Sequence, residues 1–211
     1  MEMVDLKEFY KGKVTDTQKN FLNYHLEYQV AEQMLNFFRK QAEQKIESEG
    51  WAKQGRNTEV KIDNFVHCWT TEEAFKQLLI RKKKWFRHRG LYFGDSSGAG
   101  ADFTVKISGK EMSIGLRSVA PESLYKWKTV AYPDDRFQNE KEKIADYHIV
   151  CNHEQGLTRF FGIISKGNLL KALEMSKKMY SKKNQEYFRI VGLDKFSFDE
   201  MIELMSKMEN V

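Results

Sequence analysis

Five histidines, two cysteines and a scatter of carboxylates are the side chains that could carry chemistry in this 211-residue chain. His25, His67, His88, His148 and His153 show no HxxxH or HxH spacing, and none pairs with Cys68 or Cys151 in metal-ligand fashion. The cysteines stand 83 positions apart without a CxxC, which gives neither a zinc site nor a disulfide framework and fits a reducing compartment. His148, inside the alternating run Asp146-Tyr147-His148-Ile149-Val150-Cys151, reads as an ordinary sheet residue. The glycine-rich stretch Gly94-Asp95-Ser96-Ser97-Gly98-Ala99-Gly100 lacks a terminal Lys-Ser/Thr and leads into a strand, whereas a phosphate loop leads into a helix. Nucleotide binding is therefore rejected. What remains is Asp102 at the head of one alternating segment and Arg117 in the next, joined by the tight turn Ser108-Gly109-Lys110.

An Asp before one strand, a hairpin, and then hydrophobic–X–hydrophobic–basic–Ser in the second strand resembles the PD-(D/E)xK, or restriction-endonuclease-like, nuclease superfamily. Ala101-Asp102 stands where that family has Pro-Asp. Ile114-Gly115-Leu116-Arg117-Ser118 stands where it has Ile-Glu-Val-Lys-Ser/Thr, and the segments from Asp146 and from Phe161 resemble the strands that follow. The resemblance implies Mg²⁺ held by Asp102, which would be metal ligand and catalytic residue, with Arg117 in the place of the catalytic lysine. The chemistry would be metal-assisted phosphodiester hydrolysis, in which carboxylates localise a hard cation and the cation lowers the pKa of water. Two departures bear on this. Gly115 cannot ligate a metal, and the Arg117 guanidinium is a poor proton acceptor. Glu111 shares the face of Gly115 but lies about 13 Å along the strand, so a replacement carboxylate would have to come from a helix, with Glu72 or Glu73 as examples.

The positioning elements follow from periodicity. Phe21, Tyr24, Tyr28, Ala31, Leu35, Phe38, Ala42 and Ile46 recur at steps of three and four, predicting a long N-terminal helix from about Asp16 to Glu49. At about 1.5 Å per residue it would reach roughly 50 Å, so it either kinks or packs part of its stripe on a second copy as a homodimer. Residues 51–70 read as a connection with a short strand near Glu59 to Ile62. Thr70 with Glu73 reads as a capping box opening a helix to Gly90. Two strand pairs follow: Asp102 to Ile107 with Glu111 to Val119, and Asp146 to Cys151 with Leu157 to Ile164. A basic helix from Asn168 to Lys183, a short strand Tyr187 to Val191, and a final helix capped by Ser197 with Glu200 complete the order. The expected class is α/β (α+β): a restriction-endonuclease-like core with a mixed four-stranded sheet flanked by helices, residues 71–211, after an N-terminal helical extension, residues 1–70.

Charge distribution points to the partner. Net charge is +5, yet Ala74 to Gly94 holds Lys76, Arg81, Lys82, Lys83, Lys84, Arg87 and Arg89 with no acid. That local field predicts an anionic partner, nucleic acid before others and DNA before RNA, bound by Lys82, Lys83, Lys84, Arg87 and Arg89. Trp85, among them, is the base-stacking candidate. Trp51, Trp69 and Trp127 are assigned to the core. No apolar run reaches the roughly 20 residues that span a bilayer, and no signal-peptide core is present, so the expected location is cytoplasmic. The expected function is nucleic-acid binding with Mg²⁺-dependent endonuclease activity. The alternative is a catalytically inactive nuclease fold serving as a protein-interaction module in defence or counter-defence.

Overall fold

The structure, a computed structural model, describes residues 25–46, 57–91, 101–181 and 186–211. The first described strand is β1 (Leu26–Gln29), followed by α1 (Glu32–Lys45) and α2 (Thr58–Arg81). The meander β2 (Phe86–His88), β3 (Phe103–Ile107), β4 (Lys110–Ser118) comes next. A five-residue π-helical turn, Ser123–Trp127, precedes β5 (Thr129–Pro133) and α3 (Asp134–Asn139). The hairpin β6 (Tyr147–Glu154) and β7 (Leu157–Ser165) leads into α4 (Lys166–Met175). Last come β8 (Lys178–Ser181), β9 (Glu186–Gly192) and α5 (Phe198–Lys207).

The main sheet has six strands in the order β1-β7-β6-β4-β3-β2, with β4 and β6 parallel and the other pairs antiparallel. A separate antiparallel sheet has the order β5-β9-β8. The mixed α/β class is as expected, but the four-stranded sheet is corrected to six strands plus three. The two extra main-sheet strands are β1, too short for its alternation to stand out, and β2, three residues inside the basic run. Both hairpin turns use the left-handed region their geometry requires: Ser108 (φ 50) with Gly109 (φ 78), and Gln155 (φ 50) with Gly156 (φ 85).

Strand alternation splits the apolar residues between two cores. Phe103, Val105, Ile114, Ile149 and Phe160 pack under Ala74, Phe75 and Leu79 of α2 and Met201 and Met205 of α5. On the opposite face Val150, Phe161 and Ile164 meet Leu169 and Leu173 of α4 and Val130, Tyr132 and Val191 of the small sheet. Ser197 caps α5, its side chain accepting from the Glu200 N–H at 3.1 Å.

The long N-terminal helix is not formed over its described part. Leu26–Gln29 is a strand paired with β7, and the helical stripe is confined to α1, where Phe38, Ala42 and Ile46 are covered by Ile62, Phe65 and Trp69 of the same chain. That part of the apolar stripe is thus covered from within. The residues of that predicted helix before 25 and after 46 lie outside the described ones. The proposed strand near Glu59 is instead helix. The capping box at Thr70 is mid-helix too, and there Thr70 and Thr71 turn their hydroxyls back to the carbonyls of Val66 and Cys68 at 2.6 and 2.7 Å. The true cap of α2 is Asn57, whose side chain accepts from the Glu59 N–H at 2.8 Å. One helix therefore runs through residue 70, where the boundary between extension and core was placed. Among the described residues no helix is long and apolar enough to cross a membrane.

Candidate acidic site

Asp102 sits just before β3, and Asp102 N–H donates to the Ile114 carbonyl at 3.0 Å, which fixes it beside the C-terminal half of β4. Its Oδ2 accepts from the Leu116 N–H at 2.6 Å. Its Oδ1 takes the Arg89 guanidinium at 2.6 Å. Arg89 follows β2 and also donates to Glu72 Oε1 at 3.0 Å, while Glu72 Oε2 lies 2.9 Å from His88 Nε2. Glu72 itself comes from the middle of α2 and is only 3% exposed. The helix thus brings a second carboxylate to Asp102, the role for which Glu72 was named as one example. Glu73 is turned aside and pairs with Lys76 at 2.9 Å.

Burial and then the nearby Glu72 carboxylate push Asp102 up to about 6, against the pull of Arg89, the Leu116 N–H and Arg117. Arg117 lies on β4 with its Nε 3.3 Å from His148 Nδ1 and its guanidinium over the Tyr132 ring at 4.9 Å. Glu111 does not pair with it but with Arg87, at 3.0 Å. Gly115 has a local reason: a Cβ there would stand 3.0 Å from His148 Nδ1. His148, read as an ordinary sheet residue, is the buried side chain that any residue larger than glycine at position 115 would press against.

The residues fit Mg²⁺ poorly as arranged. Each carboxylate oxygen of Glu72 and Asp102 already faces a protein donor or imidazole, and Arg89 stands between the two acids where a cation would sit. No group of three or more His, Cys, Asp or Glu among the described residues is disposed to hold a metal.

The basic helix is corrected. Helix α2 stops at Arg81, Lys83 takes φ 53, and the run continues as a turn and β2. Lys84 Nζ donates to the Met208 carbonyl at 2.7 Å and to Asn210 Oδ1 at 3.0 Å, tying down the C-terminal segment after α5. Arg87 and Arg89 are in the ion pairs above. Lys82 and Lys83 make no ion pair with a described residue, and Lys106 sits over the Trp85 ring at 4.3 Å. The second basic helix ends at Met175, and β8 occupies part of its place. Trp69 is core as expected, but Trp127 is 59% exposed; Trp51 and the glycine-rich loop at 94–100 lie outside the described residues.

Comparison with family models, with curated proteins and with solved structures gave no match.

Proposed function

We propose that this chain is a nucleic-acid-binding protein built on a nuclease-like core, α2 with β2-β3-β4 and the parallel strand β6, that does not cleave what it binds. The supporting observation is the Glu72–Arg89–Asp102 bridge. Two buried acids converge at the strand end expected of a metal-dependent nuclease, and an internal guanidinium bridges them. Arg89 cannot act as the Lewis acid that phosphodiester hydrolysis by this route needs. The excess of Lys and Arg supplies the attraction for a polyanion.

Fluorescence anisotropy with DNA and RNA oligonucleotides, beside plasmid nicking in Mg²⁺ and Mn²⁺, tests this reading. Salt-dependent binding without nicking is the expected result. Nicking by the unaltered protein that is lost in Asp102→Ala would overturn it and make Glu72 the second carboxylate of a working enzyme. A second reading, a protein-interaction module, is favoured by one observation: Lys84, Arg87 and Arg89 of the basic run are engaged within the chain. It predicts no nucleic-acid binding.

A further inference from the structure

The sequence Tyr125-Lys126-Trp127-Lys128 alternates aromatic and basic residues, and all four are exposed. Trp127 is 59% and Tyr125 46% exposed, whereas Trp69, Phe75, Phe103, Phe160 and Phe161 are buried. Two backbone features hold them out. Residues Ser123–Trp127 form a π-helical turn, and Lys128 closes it in the left-handed conformation at φ 51, ψ 43. π-Turns are rare and concentrate at functional sites, and a non-glycine residue at positive φ is held there only when its surroundings dictate it.

Those surroundings are specific. Leu124, inside the turn, is fully buried in the core beneath the small sheet. The Leu124 N–H donates to the Ala120 carbonyl at 3.0 Å, and the Lys128 carbonyl accepts from Leu193 N–H at 2.9 Å. The turn is anchored at both ends and by its centre, while its aromatic and basic side chains face water. Lys126 Nζ lies 4.9 Å from the centre of the Trp127 ring, and its ion pair with Glu122 at 3.4 Å is between side chains both about two-thirds exposed. Such a pair holds little energy and yields readily to a phosphate.

We infer that the anchored π-turn at Tyr125–Lys128 is a stacking site for single-stranded nucleic acid. Exposed rings offer π-faces to unpaired bases, and the interleaved lysines meet the phosphates between them. A duplex keeps those faces stacked inside the helix, so a single strand is the matching polyanion. Charge complementarity carries the choice of occupant: both charged groups on the tetrapeptide are cationic, and the chain is basic as a whole. In sequence the turn follows the C-terminal end of β4, the end that carries Arg117 and adjoins Asp102. This inference rests on the nucleic-acid reading above and names its substrate class.

The test is anisotropy with labelled oligo(dT), oligo(rU) and a duplex of equal length, using the full chain and the variants Trp127→Ala, Tyr125→Ala and Lys126→Gln. All three side chains are exposed, and unchanged circular dichroism melting checks that the fold is kept. The single strands should bind more tightly than the duplex. Trp127→Ala should weaken binding roughly 5- to 150-fold, the range expected for losing one stacked base. Lys126→Gln should lower the salt slope by about 0.7, the value for one phosphate contact on a single strand. Similar affinity for oligo(dT) and oligo(rU) marks stacking without sugar discrimination, and a preference for either names the source. Tight single-strand binding that survives Tyr125→Ala with Trp127→Ala would overturn the site and leave the nucleic-acid reading standing. No binding of any oligonucleotide by the unaltered chain would overturn both. Light scattering showing a dimer that Trp127→Ala dissociates, again without oligonucleotide binding, would instead make the turn a self-association surface and overturn the site.

Discussion

Glu72 and Asp102 are ionisable groups removed from water, and a folded chain keeps such groups only with compensation or a task. Arg89 compensates both at once, which makes it the residue on which the site's energetics turn. Arg89→Met keeps most of the stem and deletes the charge, leaving two buried carboxylates facing each other. The expected loss is about 3 kcal/mol or more, the usual result of stranding a buried ion. Adding Glu72→Gln should return part of it, because one of the two stranded charges is then gone. Urea denaturation of the four members of this cycle measures the coupling, and additive losses would show that the bridge is not a unit. Glu72 was legible in the sequence only as a type of answer: strand spacing showed that β4 lacks its acid, but not which helix turn would approach. Arg89 was misread for a related reason. A run of cations without acids looks like a surface field, while its counter-charges, Glu72, Asp102 and Glu111, lie 13 or more residues from their partners in sequence and meet them only through the fold.

Among the elements, those closed by local chemistry were legible and those shaped by tertiary contact were not. The β3–β4 and β6–β7 hairpins and the Ser197 cap each depend on a few adjacent residues, and each appears close to where it was predicted. Helix α2 defeated the reading because Thr70 and Glu73 have capping-box spacing, yet Asn57 caps the helix and the threonine hydroxyls bond backwards. β8 was absorbed into a helix because Lys178 within it and Lys177, Lys182 and Lys183 around it read as one basic helical run, which hides its pairing with β9. Gly162 shows how closely elements depend on one another. It lies on β7 where the start of α5 crosses, and a Cβ there would come within 2.9 Å of the Ser197 carbonyl carbon and 3.1 Å of the Phe198 nitrogen. Ile163 and Ser197 exchange two backbone hydrogen bonds at 2.9 Å beside it, so neither chain can retreat freely. Gly162→Ala should therefore cost about 1–3 kcal/mol by overpacking. Ser197→Ala, which removes only the cap, should cost about 1 kcal/mol. Denaturant midpoints compare the two, and a Gly162→Ala loss smaller than the cap loss would show that α5 docks loosely.

At the scale of the whole molecule two titrations shifted by burial act in opposite senses. His153 at the end of β6 accepts the Gly156 N–H on Nε2 at 2.8 Å and lies 3.4 Å from His67 Nδ1 of α2, so one neutral imidazole pair ties the β6–β7 turn to the helix. Burial first, and then His67, lower His153 to about 4, against the pull of Glu154; burial also lowers His67, against Val119 and Asp63. The unfolded imidazole titrates near 6.5. Between about 6.5 and 4 the unfolded chain binds the extra proton, so this group's stabilisation is complete above that window and is lost as pH falls through it. Partial exposure reduces its size to about 1–2 kcal/mol. Asp102 runs the other way. Its carboxyl sits at about 6 in the fold and near 3.9 unfolded, so between those values the folded chain holds the extra proton and stability rises as pH falls. The two terms overlap and largely cancel between about 6 and 4. Asp134, lowered to about 2 by Lys178 and then Arg189, adds its own loss only as pH falls below its unfolded value. Separate variants expose the cancellation. In thermal melts at a series of pH values, the Tm difference from wild type should change in opposite directions. His153→Gln should gain on wild type as pH falls from about 6.5 to 4, and Asp102→Asn should lose ground over the same interval. Taking differences at each pH removes the groups common to all three proteins. Parallel profiles for the two variants would mean that neither group is shifted by the fold, and both the imidazole junction and the buried acid pair would lose their electrostatic basis.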